Sequence, residues 1–285
     1  MRKLLLALIV LVSMTSISTV MGQTPKVPPN CTLAPDAKAG HDGYADRVVH
    51  DKTGIELILI GPGKFMMGEG NNFKTIREIT IKKPFYIGKT EVTNAQYRKF
   101  VEGPVYDGTK DTDPAYDLYL RHWRDKSIIS KEDDYPIVWV SWKNAKAFCK
   151  WAGLELPSET RWEHACRAGT TTGYSFGDDR KDLDDYAWYG TNKPSTYPVA
   201  QKKPNPWGLY DIHGNVWEWS EDDFVYETET APTDGSARVE AAMTKALRGG
   251  AWSVRPVYCL TATRFNSAPM NASNDVGFRV VLSVP

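Results

Sequence analysis

The chain predicts an α+β fold with little regular secondary structure. Three observations carry that reading. Short β-like runs crowd the early part of the chain, and three helices with clear start and stop signals follow. From Gly173 onward Gly, Asp, Pro, Asn and aromatic residues dominate.

The first residues read as a secretory signal over 1–22. Arg2 and Lys3 form a charged start, Leu4 to Val12 an apolar run, and Val20-Met-Gly22 a small-residue cleavage site before Gln23. The apolar run is short for a membrane span, so an exported protein, periplasmic or secreted, with no span after cleavage is expected. An uncleaved anchor is the alternative. No cysteine follows directly, which gives a lipoprotein anchor no support. Residues 23–50 are rich in Pro, Lys and Asp and lack periodicity, which suits an extended N-terminal arm ahead of a domain over 51–285. The mature chain, roughly 263 residues, is long enough for one large domain or two small ones.

Ile55 to Ile60 is a β run, Gly61-Pro-Gly63 a turn, and Lys64 to Met67 a second short strand. Arg77 to Phe85 alternates as a strand, and Tyr86 to Val92 continues the sheet. Thr93 is an N-cap with Gln96 three residues on, a capping box, and Gly103 closes that helix. Ser141 starts the second helix, whose Trp142, Ala145, Phe148, Cys149 and Ala152 share one face up to Gly153. The third starts near Ser158, buries Trp162, Ala165 and Cys166, and ends at Gly169. Residues 103–134 read as an insertion or long loop, and little regular structure is expected over 170–246.

Lys plus Arg and Asp plus Glu both total 35, which gives no electrostatic case for nucleic acid or an anionic membrane. The four cysteines all follow the leader. In an oxidising compartment their default is disulfide pairing, and the sequence does not choose among the three complete pairings. The 10 tryptophans and 14 tyrosines predict a rigid aromatic core, or a groove for a peptide or glycan. Asn30 and Asn271 are glycosylation sequons that matter only in a host that modifies them.

Seven motifs occur in an order that resembles the formylglycine-generating enzyme (sulfatase-modifying factor) family. They are Gly63 to Gly68, Glu91 to Tyr97, Pro136 to Trp142, Trp151 to Pro157, Glu159 to Gly169, Trp207 to Trp219, and the C-terminal Leu247-Arg-Gly-Gly-Ala-Trp252 with Val276-Gly-Phe-Arg279. The resemblance implies a single C-type-lectin-related α+β domain with structural calcium. It implies calcium ligands at the carbonyls of His213, Gly214 and Val216 and the carboxylate of Glu218, chemistry that suits a hard cation. The alternative is a structural turn with Glu218 paired to an arginine. A second calcium site of the family is not assignable here, because Asp184 to Thr196 departs from the pattern. His213, His122 and His164 are isolated, so a histidine-based iron or zinc site has no support.

The family's active enzymes hold copper with two cysteines, one a few residues after a Gly-Gly pair and one five residues beyond it. Soft sulfur ligands favour Cu(I). Counting forward from Gly249, Val254 stands in the first place and Cys259 in the second. Counting back from Gly277-Phe278, Cys259 moves toward a structural position bonded to the helix cysteine that matches Cys166. The resemblance therefore leaves Cys259 as candidate catalytic residue or as half of a Cys166–Cys259 disulfide. Such a bridge would close about 94 residues and contribute about 4 kcal/mol on the entropic account. Cys31 would then pair with Cys149 or stay free. Copper is not expected, since the thiolate pair is absent. The implied substrate groove contains Trp252, Ser253, Arg264 and Asn266, with Asn274 and Arg279 nearby; Arg279 is equally suited to pair a buried carboxylate.

Three functions follow from the resemblance. One is an oxidoreductase-type maturation factor, like the exported pyoverdine-maturation branch, acting on a peptide or peptide-derived substrate without the copper pair. The second is a non-catalytic protein that holds an envelope partner. The third, a true sulfatase activator, is disfavoured by the missing cysteine.

Overall fold

The computed structural model describes residues 24–68, 76–103, 118–125, 127–190, 195–226 and 231–284. The leader over 1–22 lies outside them, as does part of the 103–134 segment. Three helices begin where the sequence places them. Helix α1 (Asn94–Val101) is capped by Thr93 and Gln96 in a reciprocal box. Helix α3 (Trp142–Ala152) is capped by Ser141 and Asn144, and Gly153 ends it at φ 75. Helix α4 (Glu159–Arg167) has Ser158 as its N-cap. Each cap satisfies an amide that the first helical turn leaves unbonded, a contribution of about 1 kcal/mol. Two short helices, α2 (Arg121–Arg124) and α5 (Leu183–Tyr186), lie in the connecting segments.

A five-stranded antiparallel sheet runs in the order β1 (Cys31–Leu33), β2 (Arg47–His50), β3 (Glu56–Ile60), β6 (Phe85–Gly88) and β11 (Val281–Ser283). The segment read as an arm thus enters the sheet as its first two strands. Strands β4 (Gly63–Met67) and β5 (Arg77–Ile81) form a separate hairpin. The long strand expected from Arg77 to Phe85 is broken into β5 and β6 ahead of Phe85, where Pro84 has no N–H to give a ladder. A second sheet, in the order β10 (Val276–Gly277), β7 (Trp217–Asp223), β8 (Lys245–Arg248) and β9 (Arg264–Ser267), carries the signature motifs. Strand β7 lies inside the stretch expected to be irregular. It is buried on both faces along nearly its whole length, so the alternation that marks a half-buried strand is missing.

One core joins α1, α3 and both sheets. Tyr97 stacks on Phe148 at 5.4 Å, and Phe278 meets both rings edge-on. The aromatic core expected from composition is therefore built between helices and the C-terminal strands. A second cluster lies under α4, with Trp162, Ala165 and Cys166 against Ile79, Ile81 and Phe85.

Candidate functional site

The signature turn before β7 is shaped by two residues in left-handed backbone. Gly214 has φ +88, and a Cβ there would lie 2.3 Å from the Trp188 carbonyl oxygen, so only glycine fits. Asn215 follows at φ 56. Its backbone N–H donates to Trp188 O (2.8 Å) and its carbonyl accepts from Trp252 N (2.8 Å). Its side-chain oxygen accepts from Tyr197 N (3.0 Å), while its Nδ2 donates to Glu91 Oε2 (3.1 Å) and to Tyr197 O (3.3 Å). One fully buried asparagine thereby fixes Trp188, Tyr197 and Trp252 relative to Glu91.

Beneath the turn sits a charged centre without solvent access. Arg279 donates from Nε to Glu218 Oε2 and from Nη2 to Glu218 Oε1, both at 2.7 Å, and both side chains are 0% exposed. Trp162 Nε1 donates to the same Oε2 at 2.7 Å. Arg279 also reaches the carbonyls of Gly88 (3.0 Å) and Tyr210 (3.1 Å). Glu91 accepts from Val216 N at 3.3 Å, and Asp211 accepts from Ala200 N at 2.7 Å. Burial, with Asp211 and Glu218 as like-charged neighbours, pushes the Glu91 carboxyl well above its usual value. Burial likewise pushes Asp211 up to about 6, and its Oδ1 has no partner among the described residues.

This geometry bears on the calcium set drawn from the resemblance. The implied ligands were carbonyls plus one carboxylate, and that carboxylate, Glu218, is committed through both oxygens to Arg279 and Trp162. His213, Gly214 and Val216 would offer carbonyls alone, with a guanidinium alongside. As paired here, Glu218 has both carboxylate oxygens engaged, which leaves this turn without a free carboxylate from the implied set for a hard cation. The arginine pairing, the alternative for Glu218, is what the chain builds.

Cys259 is likewise not a poised thiolate. It is 0% exposed, and burial pushes its thiol up to about 12, against the opposing pull of the Ala251 backbone N–H. It packs with Tyr174, Leu183 and Ala187, whereas Cys166 packs in the cluster under α4. All four cysteines are free thiols, so the Cys166–Cys259 disulfide implied by the resemblance is not formed in this structure. His213 serves as a clasp there. Cys259 O can only accept, so His213 Nδ1 carries the proton and donates to it at 2.8 Å. Nε2 then accepts from the Ser175 N–H (3.2 Å) and hydroxyl (2.9 Å). Burial lowers His213 to about 4, which keeps the ring neutral. The Ser–His contact imitates a nucleophile pair, but both residues are 1% exposed, so the pair is sealed from solvent.

Of the groove residues, Trp252 and Ser253 belong together. Trp252 Nε1 donates to Asn274 O (3.3 Å), and Ser253 Oγ donates to Asp275 Oδ2 (2.7 Å). Asn215 places the Trp188–Tyr197 stack (3.8 Å between centroids) in the same neighbourhood. Arg264 is not part of that surface. It pairs with Glu159 and lines a separate pocket with Asp222 and Arg238. Asn266 lies on β9, paired with Ala246 and next to the half-exposed Phe265. Glu91, Asp211 and Asn215 were missed as functional positions. All three lie inside quoted motifs, yet Glu91 and Asn215 meet across 124 residues of chain, a pairing that local spacing does not reveal.

Residues 46–284 match the family described as the sulfatase-modifying factor enzyme 1-like domain. The formylglycine-generating enzyme of Streptomyces coelicolor is 30% identical over 276 residues, spanning 76% of this chain and 86% of that protein. A Bos taurus protein named inactive C-alpha-formylglycine-generating enzyme 2 is 27% identical over 280 residues, spanning 79% of this chain and 87% of its own length. Among solved structures, PvdO from Pseudomonas aeruginosa superposes with a TM-score of 0.69 at 26% identity, covering 82% of this chain and 96% of that one.

Proposed function

This chain belongs to the sulfatase-modifying factor family, and we propose that it is an exported member that binds a peptide or peptide-derived ligand without copper–thiolate chemistry. The observation that carries the reading is Cys259. A two-thiolate copper site needs two accessible, ionisable sulfurs, and here the first place holds Val254 and the second a sealed thiol held near 12. What remains at the expected groove is an aromatic surface set by Asn215, with Trp188, Tyr197 and Trp252 at its edges. Aromatic rings held rigid suit ligand binding, since they give contact area at small entropic cost. A relative aligned over 87% of its own length is named an inactive formylglycine-generating enzyme, so this family holds members whose names deny the oxidation.

A second reading is an oxidoreductase-type maturation factor that uses other groups. The 30% identity to a formylglycine-generating enzyme favours it. One experiment separates the two. The exported protein is incubated with cysteine-containing and aromatic peptides under air, with and without added Cu(I), and is followed by mass spectrometry and by calorimetric titration. Saturable binding without any covalent change, and no dependence on copper, is expected. Conversion of cysteine to an aldehyde would overturn the proposal, and any other oxidised product would establish the second reading.

A further inference from the structure

A cleft of about 740 Å³ opens between the β3–β4 turn, α4 and the Pro206-Trp207-Gly208 turn, and it shares no residue with the centre around Glu218. Its wall carries three rings in series. His164 lies 5.2 Å from Phe65 and 5.0 Å from Trp207, centroid to centroid. Two glycines leave room for the histidines that line the cleft, His41 and His164. A Cβ on Gly61 would lie 2.2 Å from His41 Nε2, and one on Gly63 would lie 3.2 Å from His164 Cε1.

The tautomer of His164 is set by the same turn. Its Nε2 faces Gly61 O at 3.3 Å, and a carbonyl only accepts, so Nε2 carries the proton. Nδ1 then presents a lone pair. It makes no hydrogen bond within the described protein, and it is not one of the sealed polar atoms left without a partner. Burial lowers the pKa of this ring, so it stays neutral near pH 7. A fixed acceptor on a ring flanked by Phe65 and Trp207 calls for a ligand that donates a hydrogen bond.

Charge narrows the ligand further. Among the described residues, the lysine and arginine side chains that line the cleft are each paired with a carboxylate. Arg167 pairs with Glu163 at 2.8 Å, Lys64 with Glu78 at 2.8 Å, and Arg47 with Glu56 at 3.5 Å. Among the described lining residues no surplus of positive charge selects a phosphate, a nucleic acid or an acidic peptide. A pyranose ring meets every condition. Its C–H face stacks on an aromatic side chain, and its hydroxyls donate. We propose that this cleft, through Trp207, Phe65 and His164 Nδ1, binds an uncharged oligosaccharide. The volume lies within the range of about 300–1,000 Å³ common to small-ligand sites.

The test uses the exported protein with neutral tetrasaccharides of glucose, mannose and N-acetylglucosamine, and with an uncharged extended peptide as competitor. Saturation-transfer NMR and calorimetry read the binding. At least one sugar is expected to saturate. Trp207→Ala should weaken it tenfold or more, and His164→Phe, which keeps a ring but removes the acceptor, should weaken it severalfold. Thermal melting of each variant checks that the fold is intact. The proposal is overturned if no tetrasaccharide saturates, if binding ignores both folded variants, or if only the peptide occupies the cleft.

Discussion

Two buried charged centres meet at α4, and they are balanced differently. In the first, Glu91, Asp211 and Glu218 surround one guanidinium, that of Arg279. In the second, Glu159 and Glu163 are paired with Arg167, Arg248 and Arg264. Helix α4 serves both. Glu159, Glu163 and Arg167 recur every four residues on one face, while Trp162 bonds Glu218 and lays its ring 5.1 Å from Arg248. Burial pushes Glu159 up, but Arg264 and Arg248 outweigh it, and its carboxyl is held below its usual value. Glu91 and Asp211 are equally buried and lie above theirs. Asp222, beside the second centre, accepts the backbone N–H groups of Glu159 and Arg238, and burial followed by Glu159 raises it to about 7. Pairing with a guanidinium, not depth, therefore decides whether a carboxylate here holds its charge.

The largest effect should come from breaking the single pair of the acid-rich centre. Arg279→Met strands Glu218 among two other carboxylates and should cost about 3–5 kcal/mol in urea unfolding. A companion Arg279→Met/Glu218→Leu variant should recover part of that loss. If Arg279→Met costs no more than an ordinary surface change, the contrast between the centres is wrong. Glu159→Gln in the balanced centre should cost less, about 2–3 kcal/mol, because Glu163 still answers Arg248. Equal losses at the two sites would erase the distinction.

A smaller effect follows from the sign of the Asp211 shift. Its carboxyl titrates at about 6 when folded, against 3.8 for the free side chain. The folded chain keeps a proton that the unfolded chain releases, so this group's stabilising contribution is full below 3.8. It is lost as pH rises toward about 6. Glu159, with a lowered value, runs the other way and loses its contribution on acidification. Asp211→Asn keeps an acceptor for Ala200 N–H and removes the charge. The shift corresponds to about 3 kcal/mol, of which the buried and unpaired amide of the new Asn takes back about 2, so stability at pH 8 should rise by about 1 kcal/mol and the slope between pH 4 and 6 should flatten. Chemical unfolding across that range reads both. An unchanged slope would mean that Asp211 titrates normally.

The contrast also explains what the sequence could reveal. Thr93, Ser141 and Ser158 act on amides three residues away, so their helices were legible without any tertiary knowledge. Strand β7 was not. Its acidic end, Glu221 to Asp223, is answered from far along the chain by Lys146 and Lys245 and by the Glu159 amide. Strands β1 and β2 were hidden for a related reason, since their pairing with each other and with β3 supplies order that composition does not suggest. At the site, the Trp207–Trp219 motif marked the right turn. The choice between a cation and Arg279 for Glu218 depended on a contact 61 residues away.

The smallest expected effect is the most discriminating for the acid-rich centre. A ligand that binds only the folded state stabilises it in proportion to the logarithm of its concentration over Kd, about 2.7 kcal/mol at a hundredfold excess. A calcium site at the His213–Glu218 turn would therefore raise Tm visibly between a chelated sample and one with millimolar calcium. With both Glu218 oxygens held by Arg279 and Trp162, no shift is expected from this turn. The control is Glu218→Gln, whose melting should be equally indifferent to calcium. A calcium-dependent rise in the parent that vanishes in Glu218→Gln would show that the carboxylate leaves Arg279 for a cation. A rise that survives the substitution would place calcium elsewhere and leave the Glu218–Arg279 pairing standing.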